Sequence, residues 1–131
     1  MINVLAIYGS HRRGQNSDIL VDKILEGIGD NEVSIERIYA SSQDIKSCTA
    51  CESCYKLGRC VIKDEMQQVY EAMDKADIVI SSSPVYFYSV SSQMKKLIDR
   101  CQAVWASKYK TGSSMISRKH RIGYIVCTAG E

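Results

Sequence analysis

Pro84 is the chain's only proline, and neither a low-complexity tract nor an internal repeat accompanies it. A proline-rich linker and a repeat array are thereby excluded. No apolar run approaches the roughly 20 residues that a bilayer span needs. The first eight residues, Met1-Ile-Asn-Val-Leu-Ala-Ile-Tyr8, lack a basic leading segment and are too short for an export signal. Neither sign of charge dominates: 17 lysines and arginines face 15 acids, for a net +2. The basic residues are not interleaved with a stacking platform of aromatics, so nucleic acid is not an expected partner. Both histidines sit in unremarkable settings, His11 in a polar loop and His120 within the basic stretch 118–121. No pair of acids has the context of an acid–base dyad. No side-chain catalytic set is expected.

What the chain does have is cysteine, packed into one place. Cys48-x2-Cys51-x2-Cys54-x5-Cys60 sets four thiols within thirteen residues. Two consecutive x2 intervals are the tight spacing with which a cubane iron–sulfur cluster is held. Zinc sites more often pair two Cys-x-x-Cys units across a longer gap. The two-cluster ferredoxin run differs as well, because its fourth cysteine follows three residues later and precedes a proline, whereas Val61 follows Cys60. The spacing favours an iron–sulfur centre, with free thiols, labile disulfides and zinc as open alternatives. Lys46, Lys56, Arg59 and Lys63 surround the run, and Glu52 is the only acid before Asp64. That basic setting suits an anionic thiolate cluster. Six cysteines without an export signal point to a reducing cytoplasm, where close-set thiols are more often metal ligands than disulfides.

Short apolar runs alternate with amphipathic helical patterns, the signature of an α/β parallel sheet. One domain is expected over 1–131, with a cysteine-rich loop at 46–63. Strands are expected at 4–8, 33–38, 77–81 and 121–128, the second an edge strand. The first helix starts near Ser17, with Leu20, Ile24 and Ile28 on its stripe and Val21 and Leu25 beside it. Asp64 caps a second helix carrying Met66, Val69, Tyr70 and Met73 inward. A third runs from about Ser91, with Met94, Leu97, Ile98, Cys101 and Trp105 on its inner face. Cys101 and Cys127 are read as small buried hydrophobes. In a flavodoxin-like strand order the ligand crevice lies at the carboxyl ends of the first and third strands. The loops at 9–17 and 82–89 occupy those ends.

Residues 9–17, Gly-Ser-His-Arg-Arg-Gly-Gln-Asn-Ser, join a buried strand to a helix start. Free amides, the helix dipole and the donors Ser10, Arg12, Asn16 and Ser17 suit a phosphate there. The alternative is an ordinary polar connection in which Asn16 or Ser17 only caps the helix. Neither the G-x-G-x-x-G fingerprint nor the Walker loop is present. The stretch Ser82-Ser-Pro-Val-Tyr-Phe-Tyr-Ser89 offers stacking faces bracketed by serines, a composition that fits a flat, partly apolar ring.

This second stretch, with residues 90–100 after it, resembles the flavin-binding segment of NAD(P)H-dependent FMN reductases of flavodoxin-like fold. The G-S-x-R-x-x-x-N-S pattern resembles their phosphate loop. The cysteine run, continuing into Val61-Ile-Lys-Asp-Glu-Met66, resembles the iron–sulfur flavoprotein branch of that family. The resemblance implies a doubly wound parallel sheet, here without the usual fifth strand and last helix. It implies that Ser10, Arg12, Asn16 and Ser17 hold the FMN phosphate, and that Pro84, Val85, Tyr86, Phe87, Tyr88 and Ser89 lie along the flavin ring. Thr128, Ala129 and Gly130 fall at its second flavin loop, and Cys48, Cys51, Cys54 and Cys60 would ligate a [4Fe–4S] cluster. Two departures stand out: His11 replaces a common proline, and the chain ends where family members usually continue.

The expected function is an FMN-dependent, electron-transferring iron–sulfur flavoprotein. Its one-electron port would be the four cysteines and its two-electron site the flavin. NAD(P)H is a candidate donor, a small-molecule donor or acceptor the expected partner, and ferredoxin a candidate carrier for the basic loop. A homo-oligomer, dimer or tetramer, is expected from the resemblance. The competing reading is a cluster-free NAD(P)H-dependent FMN or quinone reductase. A third is a redox- or metal-sensing module without turnover.

Overall fold

The computed structural model describes residues 1–29 and 32–130, so Glu131, the last residue of the expected domain, lies outside the described residues. The first strand, β1 (Ile2–Tyr8), is buried at every position from Val4 onward. Val4, Ala6 and Tyr8 pack into one apolar cluster while Leu5 and Ile7 pack into another. Alternating residues point to opposite faces of a strand, so both faces of β1 are covered. A strand of that kind belongs inside a parallel sheet. β1 accordingly pairs in parallel with β2 (Val33–Tyr39) on one side and β3 (Ile78–Pro84) on the other. β4 (Ile122–Thr128) adds to β3, giving the order β2-β1-β3-β4. This is the expected doubly wound α/β sheet, with β2 at an edge and four strands among the described residues.

α1 (Asn16–Ile28) returns the chain to β2 and seals the Val4, Ala6, Tyr8 face with Val21 and Leu25. On the other face lie α3 (Met66–Lys75) and α4 (Ser92–Arg100), which bring Met66, Val69, Tyr70, Met94 and Leu97 onto Leu5 and Ile7. Right-handed crossovers require that division of helices between the two faces. Burial of each such large apolar side chain contributes about 1.5–3 kcal/mol. A five-residue helix, α2 (Ser53–Leu57), lies within the cysteine loop, and α5 (Gln102–Tyr109) follows α4.

Several local expectations need correction. The inward stripe of α1 is Ser17, Asp18, Val21 and Leu25, while Leu20 and Ile24 are exposed. The apolar period there marks two faces, and only one meets the sheet. β3 continues to Pro84 because Ser82 and Ser83 pair with Val126 and Cys127 of β4, although their polarity suggests a loop. The single expected helix from Ser91 breaks at Cys101 into α4 and α5; Ile98 and Trp105 face outward, and Arg100, Ala103 and Ala106 face inward. Cys127 is exposed. Cys101 is half-buried rather than buried, packed against the apolar core, and its desolvation pushes the thiol up to about 11.

The amino-terminal ends of the strands are gathered by Asp77. Its carboxylate accepts the Asn3 N–H and the Lys119 ammonium, each at 2.8 Å. The Lys119 bond, followed by the Asn3 bond, pulls the carboxyl from 3.8 to about 2. A carboxylate whose pKa falls on folding stabilises the fold above its unfolded value and loses that contribution as pH drops through the folded value. The gap in urea midpoint between wild type and Asp77→Asn is therefore expected to be full at neutral pH and to close as pH falls from 3.8 toward about 2. A gap independent of pH over that window would show that Asp77 does not act through its charge.

Candidate functional site

The order β2-β1-β3-β4 reverses direction between β1 and β3, so their carboxyl ends form the topological switch point at which sheets of this class place a ligand. Three loops meet there, following β1, β3 and β4. The first two are drawn together by Gly9, whose N–H donates to Ser82 O at 2.8 Å. A Cβ on Gly9 would lie 2.3 Å from that same oxygen, so only glycine permits the approach. The buried hydroxyl of Ser91 then donates to Gly9 O at 2.5 Å and accepts Met94 N–H at 3.2 Å, capping α4. Ser91 N–H donates to Ser83 Oγ at 2.8 Å, and Ser83 Oγ donates to Pro84 O at 2.8 Å. At the far side Val85 N–H donates to Thr128 O at 2.7 Å, tying the third loop to the second. Ser91 stands at the expected start of its helix and Ser83 brackets the aromatic run, but nothing local in the sequence pairs them with each other or with Gly9.

In the first loop Ser10 is buried and folds the chain back on itself, accepting Arg12 N–H at 3.1 Å. Arg12 and Asn16 are exposed, and Ser17 is buried at the base of α1. The residue that caps α1 is Gln15, without a side-chain bond, so neither Asn16 nor Ser17 serves as the cap. Asp18 turns inward instead and accepts Gly14 N–H at 2.8 Å, with its second oxygen buried and unpartnered. Arg13 stacks its guanidinium 3.9 Å over the Tyr39 ring, which itself stacks on Tyr8 at 4.5 Å. The helix start keeps the unpaired first-turn amides that any helix leaves.

The second loop is a two-residue hairpin in which Tyr86 and Ser89 exchange backbone bonds of 2.9 and 3.0 Å. Phe87 and Tyr88, its central pair, have φ of 46° and 63°. Left-handed backbone at two bulky residues costs energy that surrounding structure must offset, and such strain gathers at ligand sites. Both side chains are fully exposed, at 101% and 103%. The aromatic run is therefore no core plug. Val85 and Tyr86 are also exposed, Pro84 and Thr128 are half-buried, and Ala129 and Gly130 are exposed beside them.

The cysteine loop forms a separate concavity. Cys48, Cys51, Cys54 and Cys60 all line one cavity of about 300 Å³, together with Tyr55 and Arg100. Left-handed backbone at Ala50 (φ 54°) and Glu52 (φ 60°) brackets Cys51, and Gly58 (φ 68°) ends α2. These turns bring residues three apart onto one wall. Hydrogen bonds from Ser53, side chain first and then backbone, hold the Cys51 thiol below its usual range and favour the thiolate that binds metal. Burial first, then the charges of Cys51, Cys60 and Cys48, push Cys54 up. Four thiolates this close repel one another, and a cationic centre would offset that. Among the described residues no three His, Cys, Asp or Glu side chains gather closely enough around one point for a single metal ion.

A buried ion pair anchors the loop at both ends. Arg100 meets Asp64 through Nη1 at 2.6 Å and Nη2 at 3.1 Å, and the two side chains are 1% and 0% exposed. Arg100 Nη1 also donates to Lys46 O at 2.9 Å, and Asp64 accepts Lys46 N–H at 2.8 Å and Met66 N–H at 3.1 Å. Burial alone would raise the Asp64 carboxyl. The bonds from Arg100, Lys46 and Met66 outweigh it and leave the carboxyl lowered. Asp64 does bond the first turn of α3 as its sequence position suggests, while Arg100 gave no sign of its role because it looks like a solvated helix residue.

A model of the NADPH-dependent FMN reductases matches residues 2–130. The chain belongs to that family. Among curated relatives, an iron–sulfur flavoprotein of Archaeoglobus fulgidus is 34% identical over 99 residues, 76% of this chain and 45% of its own length. One from Methanosarcina thermophila is 31% identical over 118 residues, 87% and 62%. The chain thus spans about half the length of the curated relatives it matches. An NAD(P)H:quinone oxidoreductase from Methanothermobacter marburgensis shares the fold with a TM-score of 0.73 at 16% identity, over 98% of this chain and 65% of that one. An FMN-dependent NADH-azoreductase from Bacillus anthracis, solved with FMN, gives 0.65 at 15% identity, over 99% and 70%.

Ser91→Ala would leave Gly9 O and Met94 N–H without their buried partner, at a cost of about 1–3 kcal/mol for each group so stranded. Denaturant unfolding of the variant is expected to show a loss of that order. A loss below about 0.5 kcal/mol would mean the loops are held without it.

Proposed function

We propose that this chain carries the cofactor sites of an FMN-dependent, electron-transferring iron–sulfur flavoprotein. The observation that carries the reading is the opening of all four cysteines onto one cavity, at the opposite end of α4 from the loops that suit a flavin. A cube of four irons takes one thiolate per iron, so its ligands stand around a cavity rather than crowding one ion. When bound, FMN supplies two-electron and single-electron chemistry, and a [4Fe–4S] cluster supplies single-electron steps.

The chain's own residues bind and orient. Arg12, Asn16 and the first-turn amides of α1 present donors to a phosphate dianion, with Ser10 shaping the turn and Ser17 at its base. Pro84, Val85, Tyr86, Phe87, Tyr88 and Ser89 form one edge of a ring slot, and Thr128, Ala129 and Gly130 the other. Cys48, Cys51, Cys54 and Cys60 hold the metal centre. NAD(P)H is the proposed donor in the first instance, because a nicotinamide can stack on an exposed flavin face without a fingerprint of its own. Ferredoxin is the proposed carrier at the basic cysteine loop, the oligomer a homodimer or homotetramer, and the compartment the reducing cytoplasm.

Anaerobic purification with flavin, iron and sulfide analysis tests the reading. FMN with about four irons per chain is expected, whereas flavin without iron selects the cluster-free reductase and neither cofactor rejects both. Cys51→Ser is expected to abolish the iron absorbance while FMN stays bound; loss of both together would make the loop structural.

Arg12→Ala is expected to weaken FMN by about 10- to 100-fold, the worth of a charged hydrogen bond, while riboflavin binding stays unchanged. Equal loss for both ligands would remove Arg12 from the phosphate.

A further inference from the structure

Arg100 is buried to 1% exposure, and its two terminal nitrogens are committed to Asp64 and Lys46 O. Its third nitrogen, Nε, is buried and its N–H has no partner. A charged donor removed from water and left unpaired is unfavourable enough that native structures rarely keep one. Asp64 is not available to it, since both carboxylate oxygens already accept from Arg100 Nη1 and Nη2, Lys46 and Met66. Arg100 lines the cavity of the four cysteines and lies within electrostatic reach of Cys60. That cavity carries the four cysteine sulfurs, together with the exposed carboxylates of Glu52 and Asp99, the latter paired with Lys95 at 2.5 Å, and Gln102, which bonds Tyr55 at 3.3 Å.

We propose that Arg100 Nε–H donates to a sulfur of the metal centre held by Cys48, Cys51, Cys54 and Cys60, and so tunes that centre's reduction potential. The pairing with Asp64 neutralises the guanidinium's net charge, so the directed N–H is the part that discriminates. Reduction adds one electron to the centre and none to Arg100, and no bond to Arg100 forms or breaks. The added negative charge strengthens a hydrogen bond to sulfur, so the donor favours the reduced form and raises the potential. Lysine at this position keeps the charge but has no Nε–H at that place.

The inference rests on the iron–sulfur reading, and the first measurement separates the two. Wild-type protein reconstituted anaerobically with iron and sulfide that takes up no iron brings down both. With iron bound, protein carrying 15Nε-labelled arginine and reduced to a paramagnetic state is expected to show a weak 15N coupling in pulsed EPR. That coupling is expected to persist in Arg59→Lys and vanish in Arg100→Lys. In a mediated dithionite titration, iron-loaded Arg100→Lys is expected to have a lower cluster potential with the FMN potential unmoved. Asp64→Asn, which keeps the N–H and removes the compensating charge, is expected to shift the cluster potential upward. An iron-loaded wild type without the coupling, an Arg100→Lys protein with wild-type potential, or downward shifts in both variants overturns the role of Arg100 and leaves the cluster reading standing. Should Arg100→Lys not retain iron, the labelled wild type and Arg59→Lys decide.

Discussion

The contact between Gly9 and Ser82 holds the carboxyl ends of β1 and β3 against each other, and the crevice depends on it. Parallel pairing of the two strands ends at Tyr8 and Ser82, and the chain leaving β1 must then turn across the tip of β3 without a side chain in the way. Ser91 fastens that turn from the other side by taking the carbonyl of the same glycine. Its hydroxyl also caps α4, so the helix that packs beneath the sheet reports directly on the geometry of the loop above it. The loops after β1 and β3, each with few internal bonds, can keep one mutual arrangement only because this buried polar chain runs between them.

α4 extends that constraint to the second concavity. Its first turn is bonded to Gly9 through Ser91 and its last residue, Arg100, is bonded to Asp64 and Lys46. The span is nine residue steps, about 13 Å along the helix axis. One rigid element thereby fixes the strand-tip loops and both ends of the cysteine loop in a common frame. A buried ion pair is weak support for stability, because desolvation offsets most of its attraction. Its use here is positional: a bidentate pair with two backbone partners admits one geometry, and the cysteine loop has little apolar burial of its own to specify another.

The departures from local pattern fall in informative places. The left-handed Ala50 and Glu52 break backbone preference on the wall of the cysteine cavity, and the left-handed pair Phe87 and Tyr88 does so at the fully exposed tip of its hairpin. Ser82 and Ser83 break the hydrophobic reading of a buried strand, and both belong to the network that joins the loops, Ser82 through its carbonyl and Ser83 through its hydroxyl. In α1 the period of apolar residues locates a helix correctly but not which of two apolar faces meets the sheet, since Leu20 and Ile24 are as hydrophobic as Val21 and Leu25.

The sequence by itself determined the class of sheet, because the switch between two-residue and 3.6-residue periods is local and strong. It determined the spacing of the four thiols, the two loops at the strand tips, and membership in the reductase family, since each is written in contiguous residues. Tertiary structure decided the rest. That the four cysteines open on one cavity, that Arg100 lies buried beneath them, and that Ser91 closes on Gly9 are contacts between residues 36 and 82 positions apart in the two decisive pairs. A polar side chain's partner at such separation depends on strand order and helix placement, and nothing in the neighbouring residues encodes it.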